Sequence, residues 1–326
     1  MKMARKSKSI SKIIVFVGLT SLLSSCSNNP LVEHRYYGFD TMIDFTYEGE
    51  KEYADTLVSP LNTLSDLFDT YKAIPGLINA YSINNAFDFL TVDKDLFDVL
   101  TYADAYYQDT NGIFNPLIKD VAELWKSAVS ENSLPDETSL NSLMEKVELS
   151  SLEFSGIDKV RINGEAHIDL GGIAKGYALK KVKASLDGTE IKNYIVNAGN
   201  SSILLGENSQ NNGLYRVGMR NTENLYLEIN KTSIGTSSIY EQKYLQIGEK
   251  IYSHIINGLT GSAEVKNHMA VVLHDDPVLC DVYSTVAMVL DETQVKQIEA
   301  ETGAKFILLS NGIVTYKNPQ IEVKQR

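Results

Sequence analysis

Hydrophobic residues at helical spacing mark the first half of this chain. Over residues 52–71, leucine and aromatic side chains recur every three or four positions, which predicts an amphipathic helix. The same spacing predicts a helix over 95–107, and the Asn111-Gly112 pair after it signals a turn. A further helix is predicted over 116–128, which begins with a proline, since proline suits a first helical turn.

Short strand-like segments mark the second half. Alternation already predicts a strand at 40–47, and apolar runs separated by Gly, Asn and Ser predict strands at 160–162, 167–170, 194–197, 202–205, 214–219, 225–229, 305–309 and 313–317. Helical spacing returns at 173–186 and 282–301. Because helices come mostly first and strands later, the order favours an α+β fold over a doubly wound parallel sheet.

Composition excludes one class of partner and favours one domain. The chain has 326 residues, a hydrophobic share of 43% and a net charge of −12. That hydrophobic share is enough for a real core, and no linker, repeat or low-complexity stretch divides the chain. An acidic chain without a basic stripe argues against nucleic acid as a partner.

The first residues have the features of a targeting signal. Residues 1–12 carry five basic residues and no acidic one, and residues 13–23 are apolar. This apolar run is too short to span a bilayer alone, so it indicates a signal peptide. Leu23-Ser24-Ser25-Cys26 follows it and resembles the lipobox of bacterial lipoproteins, whose cysteine carries lipid. The alternative is an ordinary signal peptide with an incidental cysteine.

These features predict three segments: a cleaved signal peptide at 1–25, lipidated Cys26 with a polar tether at 26–33, and one domain at 34–326. The domain would then lie outside the cytoplasmic membrane and be anchored to it. Cys280 is the only other cysteine, so the mature chain has no partner for an intramolecular structural disulfide. Its apolar surroundings predict a packed thiol rather than a reactive one.

One candidate for chemistry is the segment DLGGIAKGYALKK at 169–181. An acid, two glycines and a lysine stand at the predicted start of a helix, where backbone N–H groups attract phosphate. The spacing fits neither a P-loop nor a G-x-G-x-x-G turn. A generic strand-to-helix turn with permissive glycines is the alternative.

A second candidate is CDVYSTVAMVL at 280–290. Asp281 and Thr285 are four residues apart and share one helix face. A carboxylate and a hydroxyl are hard oxygen ligands, suited to Mg²⁺ or Ca²⁺ rather than zinc. The alternative is an acid near the helix N-terminus and a hydroxyl bonded to the preceding turn.

Three further segments offer weaker signals. His254 precedes a glycine-rich turn and could serve as a general base near neutral pH, although a lone histidine is more often a packed residue. Residues 233–242 place three hydroxyls around a predicted loop, and residues 197–206 form a glycine turn between strands.

The order of these segments is more specific than any one of them. The chain runs through TNGIFNPLIKDVAELW, IDLGGIAKGYAL, YIVNAGN, YRVGMR, GTSSIYE, HIINGLTG and CDVYSTVAMVL. This series resembles the ApbE family, the FAD:protein FMN transferases, across essentially the whole mature chain. The resemblance implies a single α+β domain with a mixed or antiparallel sheet and flanking helices.

The resemblance also implies a reaction. An enzyme of this kind binds FAD with Mg²⁺, breaks the pyrophosphate, releases AMP and joins FMN to a threonine or serine of an acceptor protein. A pyrophosphate needs a backbone cradle and a hard cation, and the acceptor hydroxyl needs a base. The implied partners are FAD, an acceptor flavoprotein and, through the lipid anchor, the membrane.

Similarity assigns roles to particular residues. Asp281, Thr285 and the Ala174 carbonyl match the magnesium ligands of the family, and His254 matches its motif histidine, which we interpret as the base. The residues expected along FAD are Tyr71, Ile113, Phe114, Asn115, Gly171, Lys175, Tyr177, Thr236 and Ile256.

The chain also departs from the family pattern. Family acids are replaced at Asn115, Ser201 and Asn257, TSG has become Thr236-Ser237-Ser238, and the N-terminal MGT signature is Tyr37-Gly38-Phe39. These losses leave two alternatives open: a flavin-binding lipoprotein with weak or no transferase activity, and a surface lipoprotein that binds another solute. Residues 257–263 only faintly resemble an acceptor site, so the acceptor should be another protein.

Overall fold

The computed structural model describes residues 30–50, 53–208 and 213–326. The predicted signal peptide, Cys26 and the tether up to residue 29 lie outside these described residues. The first strand begins at Leu31, inside the segment predicted as tether. Among the described residues, no helix has the length and apolar character needed to cross a membrane.

Helices in the described part of the chain flank the sheets. They are α1 (Tyr53–Val58), α2 (Leu61–Leu67), α3 (Ala80–Asn84), α4 (Lys94–Asp109), α5 (Lys119–Ser130), α6 (Glu137–Glu148), α7 (Ala174–Asp187), α8 (Pro277–Ala287) and α9 (Glu292–Thr302), with a 3-10 turn at Ile239–Glu241.

Two predicted helices are each broken into two. The helix predicted over 52–71 is interrupted by Pro60, which has no N–H for the ladder and stands at the cap of α2. The helix predicted over 282–301 is interrupted at Asp291, whose side chain accepts the N–H of Gln294 in a capping box and starts α9. Local capping chemistry therefore overrides the continuous apolar spacing.

The strands pair in antiparallel fashion throughout the described sheets. They are β1 (Leu31–Gly38), β2 (Thr41–Glu48), β3 (Leu90–Thr91), β4 (Ser151–Ser155), β5 (Lys159–Asn163), β6 (Tyr194–Ala198), β7 (Ser202–Leu205), β8 (Tyr215–Gly218), β9 (Leu225–Ile229), β10 (Ser233–Ser238), β11 (Leu245–Ile247), β12 (Lys250–Tyr252), β13 (Glu264–Val265), β14 (Met269–His274), β15 (Lys305–Ser310), β16 (Ile313–Lys317) and β17 (Val323–Gln325). The predicted α+β class is confirmed.

The central sheet has eight strands in the order β1-β2-β6-β7-β10-β14-β15-β16. Both of its faces are covered. In β14, Ala270 and Val272 enter the main core, while Met269, Val271 and Leu273 enter a second cluster behind the sheet. A strand buried on both faces has no polar alternation, which is why this strand was not predicted.

The predicted strand at 167–170 is absent. Ile168 donates its N–H to Asn84 Oδ1 over 2.7 Å, and Asn84 Nδ2 donates to the Ile168 carbonyl over 3.1 Å. Asp169 donates its N–H to the Pro116 carbonyl over 2.8 Å. A side-chain amide and a loop carbonyl take the place of a neighbouring strand, so the segment is extended without a ladder.

Helix α8 lies directly against β10 in the middle of the sheet. A Cβ built on Gly235 would lie 2.0 Å from the Cys280 carbonyl oxygen. Only glycine allows this approach, and it brings the polar end of β10 next to Asp281. The predicted packing of Cys280 is confirmed, since its side chain is fully buried here.

We expect Gly235→Ala to lower the free energy of unfolding by about 1–3 kcal/mol, because a backbone carbonyl cannot rotate out of the way. Urea unfolding followed by Trp125 fluorescence measures the loss. Gly218→Ala is the matched control in another strand, since its added methyl meets nothing within 4 Å. Equal stability of the two variants would show that α8 and β10 separate easily.

Candidate functional site

Asp281 is the centre of a buried polar cluster. It projects from α8 and is only 4% exposed. Its Oδ2 accepts the N–H of Gly176 over 2.8 Å, and its Oδ1 accepts the hydroxyl of Ser202 over 2.9 Å. The carboxylate thus joins α8 to the first turn of α7 and to β7. Ala174 is the first residue of α7, two positions before the amide that Asp281 holds.

Hydroxyl groups continue this cluster toward the surface. Ser237 Oγ on β10 lies 2.9 Å from Ser284 Oγ and 3.3 Å from Thr285 Oγ1. Ser284 donates to the backbone carbonyl of Asp281 over 2.9 Å, so these hydroxyls adjoin the residue whose carboxylate binds Ser202. The predicted sharing of a helix face by Asp281 and Thr285 is confirmed by α8.

The glycine turn before α7 lies against this cluster. A Cβ on Gly172 would lie 3.2 Å from a Phe114 ring carbon and 3.6 Å from Thr285 Oγ1. The turn therefore brings backbone close to the Thr285 hydroxyl without a side chain between them. The loop that carries Phe114 forms the opposite wall.

The donor set fits a hard divalent cation that keeps other ligands. Within residues 30–50, 53–208 and 213–326, no group of three or more His, Cys, Asp or Glu side chains could hold a metal ion. One buried carboxylate and neutral oxygens remain, namely those of Asp281, Thr285 and the start of α7. Magnesium characteristically takes one or two carboxylates and completes its shell with water and phosphate oxygens.

His254 has a buried ring nitrogen without a partner. Its Nδ1 is buried and makes no hydrogen bond to the described protein atoms. Burial, and to a lesser degree the charge of Lys175, together lower the pKa of His254 to about 4. The imidazole is therefore neutral at pH 7 and can accept a proton.

The depressed pKa of His254 predicts a loss of stability in acid. Below its ordinary pKa of 6.5 the unfolded chain binds a proton that the folded protein binds only near about 4. As the pH falls from about 7 to about 5, this difference in proton binding should lower the free energy of unfolding by roughly 2 kcal/mol. Urea unfolding of the wild type and of His254→Gln at both pH values measures it. The variant should lose less stability, and parallel losses would contradict the burial of a neutral ring.

The two loops predicted to line FAD lie side by side. The Ile113 carbonyl accepts the N–H of Gly258 over 2.9 Å, which joins the 113–115 loop to the loop that carries His254 and Ile256. Phe114 is buried, and Ile113 and Ile256 are half-buried against the core. The structure thus brings these predicted residues together on one wall.

Asp169 connects the glycine turn with the groups around Tyr71 and Lys175. Asp169 Oδ1 accepts the Gly171 N–H over 2.6 Å. Burial raises the pKa of Asp169, and this hydrogen bond and the charges of Lys119 and Lys175 oppose the shift. Tyr71 is exposed at 61%, yet partial burial and the Asp169 charge raise its pKa to about 12.

Two of the residues expected along FAD direct their side chains away from the Asp281 cluster. Tyr177 is only 2% exposed and donates its hydroxyl to Asp95 Oδ1 over 2.8 Å, so its side chain belongs to the core. Thr236 follows Gly235 on β10, and strand alternation puts its side chain on the face opposite Ser237. Neither side chain is brought together with Asp281.

Two asparagines that stand where the family has acids stabilise the local turns. Asn115 Oδ1 accepts the N–H of Leu117 over 2.8 Å, and Asn257 Oδ1 accepts the N–H of Leu259 over 3.0 Å. An aspartate would make the same turn, because both side chains present an oxygen two residues upstream of the donor. The replacements therefore remove charge while leaving the turns intact.

Sequence reasoning missed the hydroxyls that surround Asp281. Ser202 and Ser284 are each 1% exposed, and Ser202 is 79 residues from the carboxylate it binds. The predicted loop at 233–242 contains strand β10, which presents Ser237 to α8. The sequence shows these serines only as runs next to glycine, and such runs do not indicate which distant residue the hydroxyls will bind.

The chain is similar to known proteins over most of its length. The model of the ApbE family matches residues 39–308. A protein of Chlamydia pneumoniae named FAD:protein FMN transferase is 26% identical over 235 residues, covering 70% of this chain and 71% of that protein. One of Treponema pallidum with the same name is 24% identical, and the match spans 53% of each chain.

Solved structures share the fold. The flavin transferase ApbE from Vibrio cholerae has a TM-score of 0.72 at 20% identity, covering 91% of this chain and 97% of that one. The ApbE protein from Thermotoga maritima has a TM-score of 0.71 at 19% identity, with the same coverage. At this identity the likeness establishes the architecture alone.

Proposed function

The chain belongs to the ApbE family, and from that premise we propose that it is an FAD:protein FMN transferase. The observation that carries the proposal is the network around Asp281, where a buried carboxylate joins Ser202, the start of α7 and a helix face that bears Thr285. A pyrophosphate substrate requires hard oxygens that can hold a cation, and a hydroxyl nucleophile requires a group that can accept its proton.

The proposed reaction exchanges one phosphorus–oxygen bond for another. The hydroxyl oxygen of an acceptor threonine or serine attacks the phosphorus of FAD that carries the riboflavin. The bond from this phosphorus to the bridging oxygen breaks, and AMP leaves with that oxygen and its electron pair. The acceptor proton passes to a base, so the products are a protein–FMN phosphoester, AMP and one proton.

Asp281, Thr285 and the Ala174 carbonyl are the proposed ligands of Mg²⁺. When bound, the ion would neutralise charge on the leaving phosphate and polarise the attacked phosphorus. Asp281 is held for this role by the Gly176 N–H and the Ser202 hydroxyl, one on each oxygen. The two hydrogen bonds fix the orientation of the carboxylate before any ligand arrives. Each oxygen still has a lone pair with which to bind the ion.

His254 is the proposed general base. A pKa of about 4 keeps its ring neutral and ready to accept at pH 7. The dianionic pyrophosphate of FAD beside the ring would raise that pKa by favouring the imidazolium, which brings it toward the working range of a base. Lys175, whose charge lowers the pKa of His254, would then face phosphate.

We place the enzyme outside the cytoplasmic membrane, anchored through lipid on Cys26. The lipobox-like Leu23–Cys26 segment supports this location. The partners are then FAD in that compartment and an acceptor flavoprotein with a reactive threonine or serine. The net negative charge of the chain disfavours nucleic acid as a partner.

A direct transfer assay tests the proposal. Residues 30–326 are mixed with FAD, Mg²⁺ and a protein that carries a family-type threonine motif, and flavin fluorescence is read on the denatured acceptor band. We expect a fluorescent band that depends on the threonine and disappears with EDTA, together with AMP in equal amount. FAD bound without AMP release would instead identify a flavin-binding protein that lacks transferase activity.

A further inference from the structure

Lys119, which has no role above, forms a pair with Tyr71, one of the residues expected along FAD. Lys119 Nζ lies 4.6 Å from the centroid of the Tyr71 ring. The lysine side chain is only 13% exposed, whereas Tyr71 is 61% exposed. A nearly buried cation therefore covers part of a ring that otherwise remains open to solvent.

The position of Lys119 is fixed from several sides. It is the first residue of α5, and its N–H donates to the His167 carbonyl over 3.3 Å. Its ammonium pairs with Glu123 one turn along the helix. Glu123 is 45% exposed, so solvent screens this ion pair. The ion pair alone therefore contributes little to holding the lysine under the Tyr71 ring.

Asp169 interacts electrostatically with both members of the pair. The charges of Lys119 and Lys175 both act on Asp169, which holds the Gly171 N–H. The Asp169 charge also acts on Tyr71, and the Lys175 charge acts on His254. The open ring is therefore a neighbour of the carboxylate that holds the glycine turn.

We propose that Lys119 is a positioning residue that holds the Tyr71 ring as a platform for one of the two flat ring systems of FAD. This inference rests on the proposed function, because it takes FAD as the substrate. A cation on one face holds the ring electrostatically, and a ring that is already fixed loses less freedom when a second ring stacks on it. Lys119 would act on FAD only through Tyr71.

The test compares FAD affinity among lysine variants. Equilibrium dissociation constants for FAD are measured by calorimetry on wild type, Lys119→Met, Lys119→Arg and Lys126→Met, with Mg²⁺ present throughout. Lys126 is the matched control, since it is an exposed lysine on the same helix. We expect Lys119→Met to weaken FAD about fivefold, and Lys119→Arg and Lys126→Met to stay within about twofold of wild type.

A double-mutant cycle with Tyr71→Leu separates positioning from folding. In the Tyr71→Leu background, Lys119→Met should cause no further loss of FAD affinity. Urea unfolding of each variant shows whether the fold is kept. A full fivefold loss that persists without the Tyr71 ring would overturn the proposal, as would unchanged FAD affinity in Lys119→Met.

Two fragments identify the ring that stacks. If FMN affinity falls in Lys119→Met, the platform holds the isoalloxazine, and if ADP affinity falls, it holds the adenine. Loss of affinity for neither fragment, with FAD also unaffected, counts against the platform. A wild-type protein that binds no FAD would overturn the proposed function itself, which is a different result from unequal binding among variants.

Discussion

Asp281→Asn should reduce the rate of FMN transfer by about 10²- to 10³-fold, because it removes the only carboxylate among the proposed magnesium ligands. The asparagine can keep the fold. Its oxygen can accept the Gly176 N–H, and its amide can donate to Ser202, whose hydroxyl rotates to accept. The variant therefore changes charge while the buried network stays satisfied.

Three measurements check this expectation. Transfer is timed by acceptor fluorescence, magnesium affinity is measured by calorimetry, and thermal unfolding is recorded with and without Mg²⁺. Magnesium should raise the melting temperature of the wild type and leave Asp281→Asn unchanged. Asp276→Asn is the control, since Asp276 caps the same helix by accepting the Val278 N–H over 2.9 Å. Wild-type transfer by Asp281→Asn would remove Asp281 from the metal site.

His254→Gln should slow transfer by about 10²- to 10⁴-fold, the range typical of a lost general base. FAD affinity should change little, because the glycine turn and the 113–115 loop remain. Glutamine can occupy the space of the imidazole and hydrogen bond, yet it cannot take a proton at neutral pH. Stopped assays with saturating FAD isolate the chemical step from binding.

His268→Gln is the control for this variant. Its Nδ1 accepts the Asn311 N–H over 3.0 Å, so it has a structural partner that His254 Nδ1 lacks. We expect His268→Gln to transfer FMN at close to the wild-type rate. Equal rates for His254→Gln and the wild type would show that another group, or water, removes the proton.

Local patterns in the sequence predicted that Asp281 and Thr285, the proposed magnesium ligands, share one helix face. Asp281 and Thr285 are four residues apart on one helix, and this relation depends on helix geometry alone. The class of the fold was also predictable, because the order of helical and strand-like segments restricts the layers that can form. The turn at Asn111 and Gly112 is confirmed too, with both residues at positive φ.

Relations between distant segments were not predictable in this way. Ser202 meets Asp281 only because β7 and α8 pack together, and the sequence does not specify that register. The segment at 167–170 has the apolar character of a strand, yet the Asn84 side chain takes both backbone hydrogen bonds of Ile168, so no strand pairs there. Tyr177 has a family-like position in a motif, but two carboxylates on α4 draw its hydroxyl inward.

The early start of β1 sets how far this domain can stand from a lipid surface. With Cys26 lipidated as proposed, four residues, 27–30, separate the anchor from Leu31 at the edge of the central sheet. Fully extended, the five steps from Cys26 to Leu31 reach only about 18 Å. Leu31, the first residue of the edge strand, would stay within that radius of the lipid head groups, so the domain would be held next to the bilayer and the acceptor threonine would have to meet it there. Distance, in addition to sequence around the threonine, would then select the acceptor.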